Sequence, residues 1–166
     1  MGAAGVTVRA MRAYRADARR VYDAWLEPDI AGRWLFATAT RPMTGVRIDA
    51  RPGGSFLFAR SEDDDLAFEG EFLTLVPGRR LALALRADDM RARTVVTVDI
   101  VPTRVGCRIA LSHGPLHARR AADVRARWIG ILYGLGETLR SLQPRRNRSN
   151  PTIAQRAPGE VSCNTC

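Results

Sequence analysis

The spacing of apolar residues switches from alternating to helical and back again along the chain, and these switches divide it into elements. VTVRAMRAY at 6–14 alternates and predicts a strand. Asp17 then stands where a helix cap is needed, and ARRVYDAWLE follows with Val21, Tyr22 and Trp25 on its apolar side. Pro28 opens PDIAGRWL at a favourable first-turn position, giving a second short helix that presents Ile30 and Trp34. From about residue 43 the alternation returns. TGVRIDA places Val46 and Ile48 on one face, SFLFAR places Phe56 and Phe58 on one face, and RPGG lies between them.

A glycine pair can cradle a phosphate with bare backbone N–H groups or supply the positive φ angles of a turn. Strands on both sides of Gly53 and Gly54, with no helix N-terminus after them, favour the hairpin. Further strands are predicted at 66–76, 79–87, 93–101 and 105–113, joined by PGR, ADDM and PTR as in an antiparallel meander. In three of them Leu81, Leu83 and Leu85, then Val96, Val98 and Ile100, then Cys107, Ile109 and Leu111 alternate with small, polar or charged residues. One sheet face is therefore covered and the other wet.

The longest helical segment is 118–142. Trp128, Leu132, Leu135, Leu139 and Leu142 recur at steps of four and three and form a face that must lie on the sheet. Gly130, Gly134 and Gly136 interrupt this helix at a cost of about 0.5–1 kcal/mol each relative to Ala, offset either by close packing or by room for a ligand. From Pro144 onward prolines and polar residues lack any period. The reading is one domain over 1–143 and a disordered tail over 144–166. Deleting 145–166 is expected to leave the melting temperature nearly unchanged, since the segment brings little apolar surface to bury. A fall of many degrees in a calorimetric scan would contradict this.

Composition narrows the class. A chain of 166 residues with 46% hydrophobic and 26% charged content suits one core without disulfides or metal. No apolar run approaches the roughly 20 residues that span a bilayer, so membrane insertion is not expected. Arginines near the N-terminus stand where a signal peptide needs an apolar stretch, which predicts a cytoplasmic protein. The net charge of +9 and a pI near 11.0 raise the question of nucleic acid. Every basic residue is Arg and none is Lys, however, and the arginines are scattered among carboxylates such as SEDDD at 61–65. Any nucleic-acid binding should be weak, non-specific and steeply reduced by salt.

Catalytic signatures are scarce. There is no nucleophile elbow, phosphate loop or zinc-protease helix. Cys107 reads as a small core residue, while Cys163 and Cys166 lack the context of a metal or redox pair. His113 and His117 are separated by Gly114 and Pro115 with no third ligand near, so no metal and no cofactor are expected. His113 alternates with Ile109 and Leu111 and so faces inward at a strand end. It is either a hydrogen-bonded core histidine or a ligand contact, the latter including general acid or base work. Arg12 shares a face with Val8, Ala10 and Tyr14 and is either a surface residue or a second group reaching the interior.

The order strand, two short helices, six strands, long helix resembles the START-like (SRPBCC) helix-grip fold. ADARRVYDAWLEPDIAGRWL, IDARPGGSFLF, EGEFLTLVPGRRLAL, TVVTVDIVPTRVGCRIALSHGPL and RWIGILYGLGETLRSL narrow it to the branch named after the C-terminal domain of the Hsp90 ATPase activator, the AHSA1-like proteins. The resemblance covers residues 5–142 and implies an α+β fold: a curved antiparallel sheet around a long C-terminal helix, with an apolar cavity between them. Where the family usually has Gly-Trp at the start of that helix, this chain has Arg127 and Trp128. Hsp90 activation, which also depends on a separate N-terminal domain, is not expected to carry over. The expected partner is an apolar or aromatic small molecule touched by Trp34, Phe58, Phe72, Leu83, His113, Trp128 and Leu132, bound by a carrier, sensor or sequestering protein that is a monomer or weak homodimer. The alternatives are a polyketide-cyclase-like or hydrolase-like enzyme using His113, and a protein-interaction or co-chaperone-like module.

Overall fold

The computed structural model describes residues 5–38, 40–61, 67–87 and 93–143. The alternating segments form β1 (Val6–Tyr14), β2 (Gly45–Ile48), β3 (Ser55–Ala59), β4 (Ala67–Val76), β5 (Arg80–Ala87), β6 (Thr94–Thr103) and β7 (Gly106–Leu116). The helical ones form α1 (Ala18–Leu26), α2 (Pro28–Trp34) and α3 (Ala121–Ser141), the last entered through a 3-10 turn at Ala118–Arg120. Asp17 accepts from the Arg20 N–H at 2.8 Å and caps α1, and Pro28 occupies the first turn of α2.

The strands make one curved antiparallel sheet in the order β1-β7-β6-β5-β4-β3-β2. β1 and β2 are opposite edges, so α1 and α2 carry the chain from one side of the sheet to the other. With α3 against the sheet, this is the helix-grip architecture. α3 runs along β1 and meets α2, while α1 lies against β6 and β7. Two polar contacts tie α3 to β1: the Tyr14 hydroxyl donates to the Leu132 carbonyl at 2.8 Å, and Arg125 Nε donates to the Arg9 carbonyl at 3.2 Å. Among the described residues, no helix is long and apolar enough to cross a membrane.

Register sets which side chains become neighbours on the covered face. Phe72 pairs with Leu83, Leu83 with Val96, Val96 with His113 and His113 with Val8. The adjoining row joins Phe56, Gly70, Leu85 and Thr94. A register shift between Phe72 and Thr74 bends β4 there.

The structure corrects three local expectations. The RPGG segment is a hairpin turn, but only Gly53 has a positive φ, 81°. Gly54 is required for a different reason: a Cβ there would run into the Asp49 carbonyl. β7 continues to Leu116, beyond the end expected at 113, because Gly114 still pairs with Val95 and Leu116 with Val6. His113 therefore lies inside a strand and not at its end. The tail from 144, with Cys163 and Cys166, lies outside the described residues, as does most of the acidic run at 61–65.

Candidate functional site

Aromatic residues gather over one half of the sheet. Phe56 and Phe58 of β3, Phe72 of β4 and Leu81 and Leu83 of β5 face Trp25 of α1 and Leu35 and Phe36, which follow α2. Together they enclose a space of about 10 Å³, the room of one water molecule. The rings pack edge to face: Trp25 on Trp34 at 4.7 Å, and Phe36 on Phe58 at 5.5 Å. Phe36 also stacks almost parallel on Phe68, 4.2 Å away with 6° between the planes. It is the one residue around this space that is partly exposed, and its backbone adopts φ 60°, a conformation that bulky side chains rarely take.

His113 forms the polar counterpart beneath α3. The Trp128 indole can only donate, and it gives its Nε1 hydrogen to His113 Nδ1 at 2.9 Å. The imidazole proton therefore resides on Nε2, which donates to Thr94 Oγ1 at 2.7 Å, and Thr94 faces the Leu85 carbonyl at 3.5 Å. The ring is 2% exposed, and burial pushes its pKa down to about 4, so it is neutral at pH 7. Both nitrogens are engaged by protein groups. A general base needs a free nitrogen within reach of substrate, and His113 has none while this chain of bonds is intact.

The seven residues expected to touch a ligand are all buried, but they do not share one site. Phe58, Phe72 and Leu83 line the enclosed space. Trp34 stands behind Trp25 and donates to the Ala24 carbonyl at 3.2 Å, and Trp128 lies 6.4 Å from the Trp25 ring and 6.1 Å from Phe36. His113 is held by Trp128, and Leu132 lies in the core where its carbonyl receives Tyr14. Trp25, Leu35, Phe36, Phe56 and Leu81 complete the lining and were not among the expected contacts. The alternation of Phe56 with Phe58 and of Leu81 with Leu83 pointed to two of them.

Gly130 and Gly134 do not open room between helix and sheet. A Cβ on Gly130 would meet nothing within 4 Å, because this position is exposed, and one on Gly134 would touch Trp34 at 3.7 Å. Gly136 is the close-packed position, 3.5 Å from the Tyr14 ring. Arg12 reaches outward over the Tyr133 ring at 4.9 Å and not into the interior. His117 is exposed, and the described residues contain no group of His, Cys, Asp and Glu able to hold a metal. The Cys107 thiol is buried and its pKa is pushed up to about 11, which leaves it unreactive. Arg127, at the position where the resemblance implies a glycine, is exposed.

On the outer face of β2–β5 a groove of about 770 Å³ is lined by residues of both signs. Arg93 meets Glu71 at 3.3 Å and Arg86 meets Glu69 at 3.9 Å, and these half-exposed to exposed pairs balance one another.

The helix-grip architecture agrees with what known proteins show. Residues 15–141 match the family model described as Activator of Hsp90 ATPase homolog 1-like protein, and the chain belongs to that family. It is 26% identical to protein CV1439 from Chromobacterium violaceum, with a TM-score of 0.65 over 79% of this chain and 95% of that one. An AHSA1-like protein from Aeromonas hydrophila shares the fold at a TM-score of 0.70 and 23% identity, over 82% and 93% of the two chains. DynU16, a protein of the dynemicin biosynthetic locus, shares it at 0.65 and 18%, over 81% of this chain and 47% of that one. No curated protein matches the sequence.

Proposed function

We propose that this domain binds an apolar small molecule in the aromatic space framed by Phe58, Phe72 and Leu83, and acts as a carrier, sensor or sequestering protein. One observation carries the reading: every side chain around that space is Trp, Leu or Phe, with no acid, base or nucleophile among them. Such a lining rewards burial of apolar surface at about 25 cal/mol per Å² and offers nothing to move a proton. The cyclase-like alternative loses its base, since both nitrogens of His113 are spent on Trp128 and Thr94. The small size of the space, about 10 Å³, favours a second reading in which the domain docks a protein and the aromatic cluster is only its core.

Titration with a naphthalene dye separates the two. Saturable one-to-one binding is expected, with energy transfer from the tryptophans beside the space. Leu83→Phe, a smaller increase in volume than a tryptophan would bring, should fill the space and weaken the dye at least tenfold, about 1.4 kcal/mol. If the variant has a native circular dichroism spectrum and binds dye as before, the pocket lies elsewhere, and absence of dye binding by the wild type would favour the docking reading.

A further inference from the structure

The three indole N–H groups of the domain are not treated alike. Trp34 donates to Ala24 and Trp128 to His113, but Trp25 Nε1 has no acceptor among the described residues, although Trp25 is only 2% exposed. Buried donors are rarely left unpaired, and an exception calls for an explanation at that place. Trp25 borders the enclosed aromatic space, and the other seven residues around it are Leu or Phe. The Trp25 indole is the one polar side-chain group around the space, and the remaining lining side chains are hydrocarbon. An acceptor atom carried on an otherwise apolar molecule fits these surroundings.

Phe36 indicates where the rest of such a molecule would go. It is the one residue around the space that is partly exposed, and its ring stacks on Phe68 and meets Phe58 and Trp128 edge to face. Its φ of 60° is a conformation that a Phe leaves readily once its ring contacts are replaced. An aromatic ligand entering at this point would take over the stack on Phe68 while the Phe36 backbone relaxes, so exchanging one ring for the other costs less than opening a relaxed core.

We propose that the site takes an aromatic ligand bearing one hydrogen-bond acceptor, such as a ketone or ether oxygen, with the acceptor on Trp25 Nε1–H and the ring in the place that Phe36 holds in the structure. This rests on the apolar-binding reading above and adds the ligand's polar handle and its way in.

The experiment compares 2-acetylnaphthalene with 2-isopropenylnaphthalene, which differ in C=O against C=CH₂ at nearly equal shape. Both are titrated into the full chain, and the indole N–H signals are followed by NMR, the Trp25 signal being assigned through Trp25→Phe. After each affinity is divided by the compound's octanol–water partition coefficient, the ketone is expected to be favoured about tenfold, a preference that Trp25→Phe removes. Only the ketone should move the Trp25 indole proton downfield. Phe36→Gly, or Phe36→Ala if the first variant does not fold, should strengthen both compounds about tenfold. If both compounds bind without preference and the Trp25 signal does not distinguish them, the acceptor assignment is overturned while apolar binding survives. If Phe36→Gly or Phe36→Ala, folded, weakens both, the displacement of Phe36 is overturned. If neither compound binds wild type or the Phe36 variants, both this inference and the reading beneath it fall.

Discussion

Replacing His113 by Leu is expected to cost the domain about 3 kcal/mol, a fall in melting temperature of roughly 6–12 °C. The loss arises less from the imidazole's own contacts than from the groups left behind. Without His113, the Trp128 indole hydrogen has no acceptor in a buried position, and Thr94 keeps only a long approach to Leu85. Adding Trp128→Phe should recover part of the loss, because removing both partners costs less than orphaning one. A single variant within 1 kcal/mol of wild type in urea would show that the network contributes little. Acid provides a second readout. The folded imidazole titrates near pH 4 and the unfolded one near 6.5, so between these values the unfolded chain holds more protons. The contribution of neutral His113 is complete above pH 6.5 and is lost as pH falls toward 4, by about 3 kcal/mol in total. Stability measured at pH 7 and 4.5 should therefore drop less in His113→Gln than in wild type, and equal drops would mean that other groups govern the acid response.

Gly70→Ala should be at least as damaging, at about 3 kcal/mol or more, although the change adds one methyl group. Gly70 lies within β4, opposite Phe56 on one side and Leu85 on the other. A Cβ at this position would collide with the Ala84 carbonyl oxygen of the neighbouring strand and with the Phe56 ring. Backbone cannot rotate aside as a side chain can, so the pairing of β4 with β5 must shift. Loss of slow amide exchange along these two strands would report it, and a well-folded variant with native exchange would contradict it.

Much of the fold was legible because a strand repeats every two residues and a helix every 3.6. Val21, Tyr22 and Trp25 declared the buried face of α1, and the alternating leucines of β5 declared its covered face. The place where ligand contacts would gather was less legible. Phe36 follows α2 outside any periodic element, and nothing in its neighbours announces a left-handed backbone. The inward direction of His113 was readable from Ile109 and Leu111, but its partners depend on register across β6 and on the placement of α3, which no single segment encodes. The misplaced room beside Gly130 had a readable signal: two residues from both Trp128 and Leu132 is about 200° around a helix, so Gly130 faces away from the side those residues bury.

Arg125 has a consequence for the behaviour of the chain among its copies. β1 is an edge of the sheet and nine residues long, the kind of border on which a strand from another molecule can be templated, whereas the opposite edge, β2, has only four residues. By donating to the Arg9 carbonyl, Arg125 occupies one of the acceptors along that border, and the guanidinium groups of Arg9 and Arg12 add positive charge beside it. An approaching strand of the same sequence would bring matching arginines against them. The helix that grips the sheet thus also guards its longer border against fibre-like stacking in crowded solution.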